Sequence, residues 1–159
     1  MSVRTWRWLD AAWRFGPPLL WMGIMSGFST DAFSPEHTGG YLLPFLRWLL
    51  PSATPAVLEL LNVGVRKATH MMEYGVLALL WYRALRPPEA DWPTRAGLIA
   101  FLLSAAFGGV DEFHQTFVPS RTGSLVDVGW DCLGAGLALI TYAVYRRVPG
   151  KSVGLGVRG

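Results

Sequence analysis

The sequence predicts an all-α fold: an integral membrane bundle of four transmembrane helices plus a short interfacial helix. Three observations lead there. Apolar residues make up 52% of the 159 residues and charged residues only 16%. A soluble domain carries about 25% charged residues, so this chain is short of material to coat a water-facing surface. Four apolar stretches recur at residues 6–28, 68–85, 95–117 and 124–145, each at least 18 residues long. At a rise of about 1.5 Å per residue, each is long enough for one crossing of a bilayer. Finally, Lys and Arg gather toward the ends of the stretches and in the connections, with long apolar runs between them. The same composition excludes disorder, which needs low hydrophobicity and high charge. With Cys132 as the single cysteine, a disulfide scaffold is excluded too. The pI near 9.4 comes without a basic stripe, so no nucleic-acid partner is expected.

The first stretch, 6–28, carries Arg7, Arg14 and the pair Pro17 and Pro18 before its most apolar part. Basic residues followed by an apolar run resemble a secretory signal, but Ser26-Gly27-Phe28-Ser29 makes a poor small-x-small cleavage site. An uncleaved anchor fits those flanks better. Residues 41–50 are apolar and aromatic, broken by Pro44, ended by Pro51, with Arg47 beside Trp48. That mixture suits a short helix lying in the interface. Ser52 or Thr54 can cap a following helix with Pro55 in its first turn, continuing into the second stretch, 68–85. Pro87, Pro88, Glu89, Asp91 and Pro93 mark the 83–95 connection as a turn-rich loop. The third and fourth stretches contain acids, so neither is a purely lipid-facing span. Residues 1–147 therefore read as one transmembrane domain, and 148–159 as a flexible Gly-rich tail.

Counting basic residues orients the chain. Arg4, Arg7, Arg14, Arg83, Arg86, Arg95, Arg146, Arg147, Lys151 and Arg158 share one side; Arg47, Arg66, Lys67 and Arg121 share the other. The positive-inside rule then predicts a multi-pass protein of the cytoplasmic membrane with both termini cytoplasmic.

Three spans carry ionisable groups near their outer ends. The second opens with Arg66, Lys67, His70, Glu73 and Tyr74; the third closes with Asp111, Glu112, His114 and Gln115; the fourth opens with Asp127 and Asp131. An acid at the centre of a span costs about 2.5–3.5 kcal/mol on insertion scales, so such groups need partners or water. Depth brings them together. Asp111 lies 16 residues after Arg95 and Asp131 seven after Ser124, which places all three clusters near the outer headgroups. Spacing then groups them by face: His70, Glu73 and Tyr74; Asp111, His114 and Gln115; Asp127 and Asp131. One polar cleft shared by three helices is expected.

These residues carry a resemblance. Arg66-Lys67-x-x-His70-x-x-Glu73-Tyr74, then Asp111-Glu112-x-His114-Gln115-x-Phe117-x-Pro119-x-Arg121-x-Gly123-Ser124-x-x-Asp127, then Gly134-x-Gly136, resembles the VanZ-like family over roughly residues 15–147. This bacterial family is named for an accessory membrane protein of teicoplanin resistance. Asp131 stands where many relatives would have Asn, adding a negative charge. The resemblance implies a small helical membrane protein of the cell envelope and no settled reaction.

Two functional readings follow, beside a plain structural one in which Arg66 and Lys67 anchor a helix end and the acids form internal salt bridges. In the first, the cleft binds an anionic or amphiphilic envelope molecule, such as a membrane lipid or lipid-linked precursor. Arg66, Lys67 and Arg121 meet its negative charge, with Tyr74, Gln115 and Asp131 as further binding residues. The resemblance adds an indirect effect on glycopeptide antibiotics. In the second, the chain is an enzyme, with His70 or His114 as acid or base beside Glu73, Asp111, Glu112 and Asp127. A divalent metal is a conceivable cofactor, because His70-x-x-Glu73 and Asp111-x-x-His114 put a His and a carboxylate on one face of each of two helices. Asp127 and Asp131 could add ligands. The spacing is reversed in one pair and no His-Glu-x-x-His helix is present, so the metal ligands stay unassigned. Proton or ion movement needs a polar path, yet residues 77–81, 97–103 and 137–140 are almost entirely apolar.

Overall fold

The computed structural model describes residues 3–28, 35–87, 94–118 and 123–147. Five helices follow one another: α1 (Val3–Phe28), α2 (Pro35–Leu49), α3 (Pro55–Leu85), α4 (Thr94–Gln115) and α5 (Leu125–Arg147). No strand occurs among the described residues. The expected tail at 148–159 lies outside them.

Local chemistry sets the helix ends. Thr54 caps α3, its hydroxyl accepting from the Val57 N–H at 3.4 Å, with Pro55 opening the first turn. α3 then runs 31 residues without interruption, so the capped segment and the second apolar stretch are one helix. It stops at Arg86, whose extended backbone precedes Pro87. Ser124 opens α5, its hydroxyl accepting from the Val126 N–H at 3.2 Å. α2 differs from the expected break at Pro44: it continues through that proline, which leaves one helical bond unmade.

The core lies between α3, α4 and α5. Tyr74, Leu77, Ala78 and Tyr82 of α3 meet Ala96 and Ala100 of α4 and Ala135 and Leu139 of α5, with Met25 of α1 closing one side. The buried face of α4 is a stripe of small residues: Ala96, Gly97, Ala100, Ser104 and Gly108. Small residues let backbones approach closely, which is how helices pack where lipid removes the hydrophobic drive between them. α1 docks on α3 by hydrogen bonds to its backbone. Arg14 Nε donates to the Ala84 carbonyl at 3.1 Å, and the Trp21 indole to the Glu73 carbonyl at 3.1 Å. These pairs run α1 antiparallel to α3.

Outside the core the polarity is inverted relative to a soluble domain. Leu98, Leu102, Val110 and Phe113 of α4 and Leu133, Leu137, Ile140 and Val144 of α5 are exposed. Asp111, Glu112, Gln115 and Asp131 are buried. Contiguous apolar surface of this kind belongs in lipid. Among the described residues, α4 and α5 are long and apolar enough to cross a membrane. α1 and α3 do not meet that measure. α1 carries Arg14 and two prolines, and α3 carries Arg66, Lys67, His70 and Glu73. Helix composition alone therefore does not establish four crossings.

Candidate functional site

The polar residues converge where the C-terminal end of α4 and the N-terminal end of α5 meet the middle of α3. The packing that brings them there is tight. Gly134 of α5 lies against the backbone of Met71, and Gly75 of α3 lies against Gly134 and Ala138. A Cβ on Gly108 would sit 3.3 Å from the Tyr74 ring and 3.4 Å from an Asp131 oxygen. Glycine at these points lets three helices close around the side chains between them. Gly129, in the same helix as Gly134, faces open space.

Asp131 is the most enclosed charged residue among those described, 1% exposed. His70 Nδ1 stands 3.4 Å from its Oδ1, but neither atom completes a hydrogen bond. The second Asp131 oxygen and the Tyr74 hydroxyl, both buried, also lack a hydrogen-bond partner among the described residues. Glu112, 4% exposed, completes the group from α4. One ligand atom each from His70, Glu112 and Asp131 lies within 4.8 Å of the others. Glu112 is fixed from the far side, where the Ser124 N–H donates to its Oε2 at 2.8 Å. Gly123 makes this possible: a Cβ there would strike the Glu112 carbonyl and the Thr116 methyl.

The other predicted residues divide around this group. Asp111 and Gln115 are buried one helical turn apart, and Gln115 Nε2 donates to Asp111 Oδ2 at 2.9 Å. Lys67 and Asp127, each about a third exposed, form an ion pair across α3 and α5 at the rim. Arg66 is half-buried beside them in sequence, and Glu73 is half-buried one turn below His70. His114 is exposed. The buried face of α4 runs through Ser104, Gly108, Asp111, Glu112 and Gln115, and residue 114 lies roughly 100° away from its centre. Arg121 lies outside the described residues. Ser124, whose backbone holds Glu112, was not singled out as a site residue, since a backbone N–H leaves no mark in a sequence.

Chemically, the site is a buried cluster of acids with one imidazole and one phenol, and with the Lys67–Asp127 ion pair at its rim. The VanZ/LLP1 family profile matches residues 19–146. The chain belongs to the VanZ/LLP1 family. Every residue of the polar site falls within the matched stretch. No curated protein and no solved structure gives a significant match. Family and apolar helices together make this VanZ/LLP1 chain a membrane protein.

Proposed function

We propose that this VanZ/LLP1 protein crosses the bacterial cytoplasmic membrane four times, both termini inside. Its polar site then opens outward and binds an anionic or amphiphilic cell-envelope molecule, a membrane lipid or lipid-linked precursor. The observation that carries the reading is the buried Asp131, whose oxygens complete no hydrogen bond among the described residues, beneath a rim that holds Arg66 and the Lys67–Asp127 pair. Buried carboxylates without partners are costly, and in a membrane such groups are functional-site hypotheses by default. The acids favour amine or hydroxyl groups of a head group, and the rim cations favour its phosphate.

Helix directions support the topology. α1 runs antiparallel to α3; Glu112 against Ser124 and Gly108 against Asp131 make α4 antiparallel to α5, and Lys67–Asp127, His70–Asp131 and Gly75–Ala138 make α5 parallel to α3, so α4 is antiparallel to α3 as well. Such alternation is what four successive crossings require. α3 tolerates its charges because His70 turns inward and Lys67 pairs with Asp127.

A second reading, an acid–base enzyme on a lipid-linked substrate, is favoured by the closeness of His70, Asp131 and Glu112.

The test pairs membrane abundance and melting temperature with survival under a teicoplanin-type antibiotic. The series is Arg66→Gln, Glu112→Gln, Asp127→Asn and Arg121→Gln, and lipid co-purifying with each protein is read by mass spectrometry. Lost survival and lost lipid in well-folded variants support binding. Survival that merely tracks abundance sinks it.

A further inference from the structure

Asp131, Glu112 and His70 come from three different helices, yet their donor atoms face one another. A ligand set for a cation looks like this before the cation draws it in. A zinc-class ion bound about 2.0–2.2 Å from nitrogen and oxygen donors holds them roughly 3–3.5 Å apart. His70 Nδ1 and Asp131 Oδ1 already stand at 3.4 Å, and the whole triad lies within 4.8 Å. Closing it takes side-chain shifts of about an ångström.

A second observation points to a ligand independently of that clustering. Asp131 is 1% exposed and neither oxygen has a hydrogen-bond partner among the described residues. His70 Nδ1 and the Tyr74 hydroxyl are buried and unpartnered beside it. The His70–Asp131 contact does not satisfy itself, and Lys67 is engaged by Asp127. Glu112 adds a second buried carboxyl group. A dication offsets Asp131 and Glu112 together as no described neighbouring side chain does. The surroundings also suit ligation: the Ser124 N–H holds one Glu112 oxygen in place, the kind of outer contact that orients a metal ligand.

We propose that His70, Glu112 and Asp131 bind one divalent transition-metal ion of the zinc or manganese type. One imidazole with two carboxylates is a borderline donor set, suited to Zn²⁺ or Mn²⁺ over Mg²⁺, which prefers oxygen and water. Three protein ligands leave a further coordination position, where a water or a head-group oxygen can sit. The ligands differ from the i, i+3 pairs visible in the sequence. Glu73 and His114 are not among them, since Glu73 is half-buried outside the triad and His114 is exposed.

The proposal goes beyond lipid binding, and its test needs no lipid substrate. Full-length protein in detergent is stripped with a chelator, then titrated with Zn²⁺, Mn²⁺ or Mg²⁺ while metal content and melting temperature are read. One Zn²⁺ or Mn²⁺ per chain, with a raised melting temperature, is expected. His70→Ala, Glu112→Gln and Asp131→Asn should each weaken binding by at least the roughly 10–100-fold that loss of even an outer contact costs. Glu73→Gln and His114→Ala should bind as the parent does. Co²⁺ absorption provides a second readout on any variant of low yield: the d–d bands should change with His70→Ala and not with His114→Ala. Uptake of no more than background metal by the folded parent overturns the proposal and leaves a water-filled site. So does binding that survives both Glu112→Gln and Asp131→Asn. Lipid retention by metal-free protein is measured separately, so either idea can fail without the other.

Discussion

Gly134 of α5 rests against the backbone of Met71 in α3, where a Cβ would overlap the Met71 carbonyl. Met71 follows His70, and Gly134 lies one turn beyond Asp131. This close crossing therefore sets the distance between the two site residues. Gly134→Ala should force the helices apart and cost about 1–3 kcal/mol, the usual range for overpacking. Gly129→Ala, in the same helix but facing open space, should instead be neutral or stabilising by up to about 1 kcal/mol. Thermal denaturation in detergent checks both. Equal melting temperatures for the parent and Gly134→Ala would contradict the close contact.

Glu112 can be separated into charge and acceptor. Glu112→Gln retains an oxygen for the Ser124 N–H, whereas Glu112→Ala leaves that donor without it. The alanine variant should be less stable than the glutamine variant by about 1–3 kcal/mol. Identical denaturation curves for the two would show that the 2.8 Å hydrogen bond contributes nothing.

His70 and His114 should behave oppositely. His114 is exposed on α4, so His114→Ala should change stability by no more than about 0.5 kcal/mol and leave survival under antibiotic intact. His70→Ala should abolish that survival at normal membrane abundance. Equal damage from both would place function on the outward face of α4 as well.

The Lys67–Asp127 pair sits at the rim with each side chain about a third exposed. Solvent weakens such pairs, and a double-mutant cycle with Lys67→Met and Asp127→Asn should give a coupling of at most about 1 kcal/mol. A coupling near 3 kcal/mol or more would mean the rim is sealed from water.

Topology is checked by single cysteines at Ser120 and Glu89 in a Cys132→Ser background. An impermeant thiol reagent on intact cells should label residue 120 and spare residue 89. The reverse pattern would invert the protein in the membrane and turn its site toward the cytoplasm.

Much was legible in the sequence. Ser52 or Thr54 ahead of Pro55 announced the start of α3, and Pro87 its end, because capping and the missing proline N–H act locally; the folded chain uses Thr54. The length and hydropathy of the two apolar stretches that became α4 and α5 follow from composition, and the Arg66-to-Asp127 string carried the family. Depth counting also brought His70, Glu112 and Asp131 to one end of the bundle, because the rise per residue is fixed by the helix itself. The sequence did not say which side chains would meet. Helical spacing paired His70 with Glu73 and Asp111 with His114. The folded chain puts His70 against Asp131 and Glu112 and turns His114 outward. Spacing orders residues around one axis but leaves open how far each helix is rotated about it. That rotation is decided where Gly75 meets Gly134, where Gly108 meets Tyr74 and where Gly123 meets Glu112. These contacts join residues far apart in the chain, and they exist only once α3, α4 and α5 have packed together.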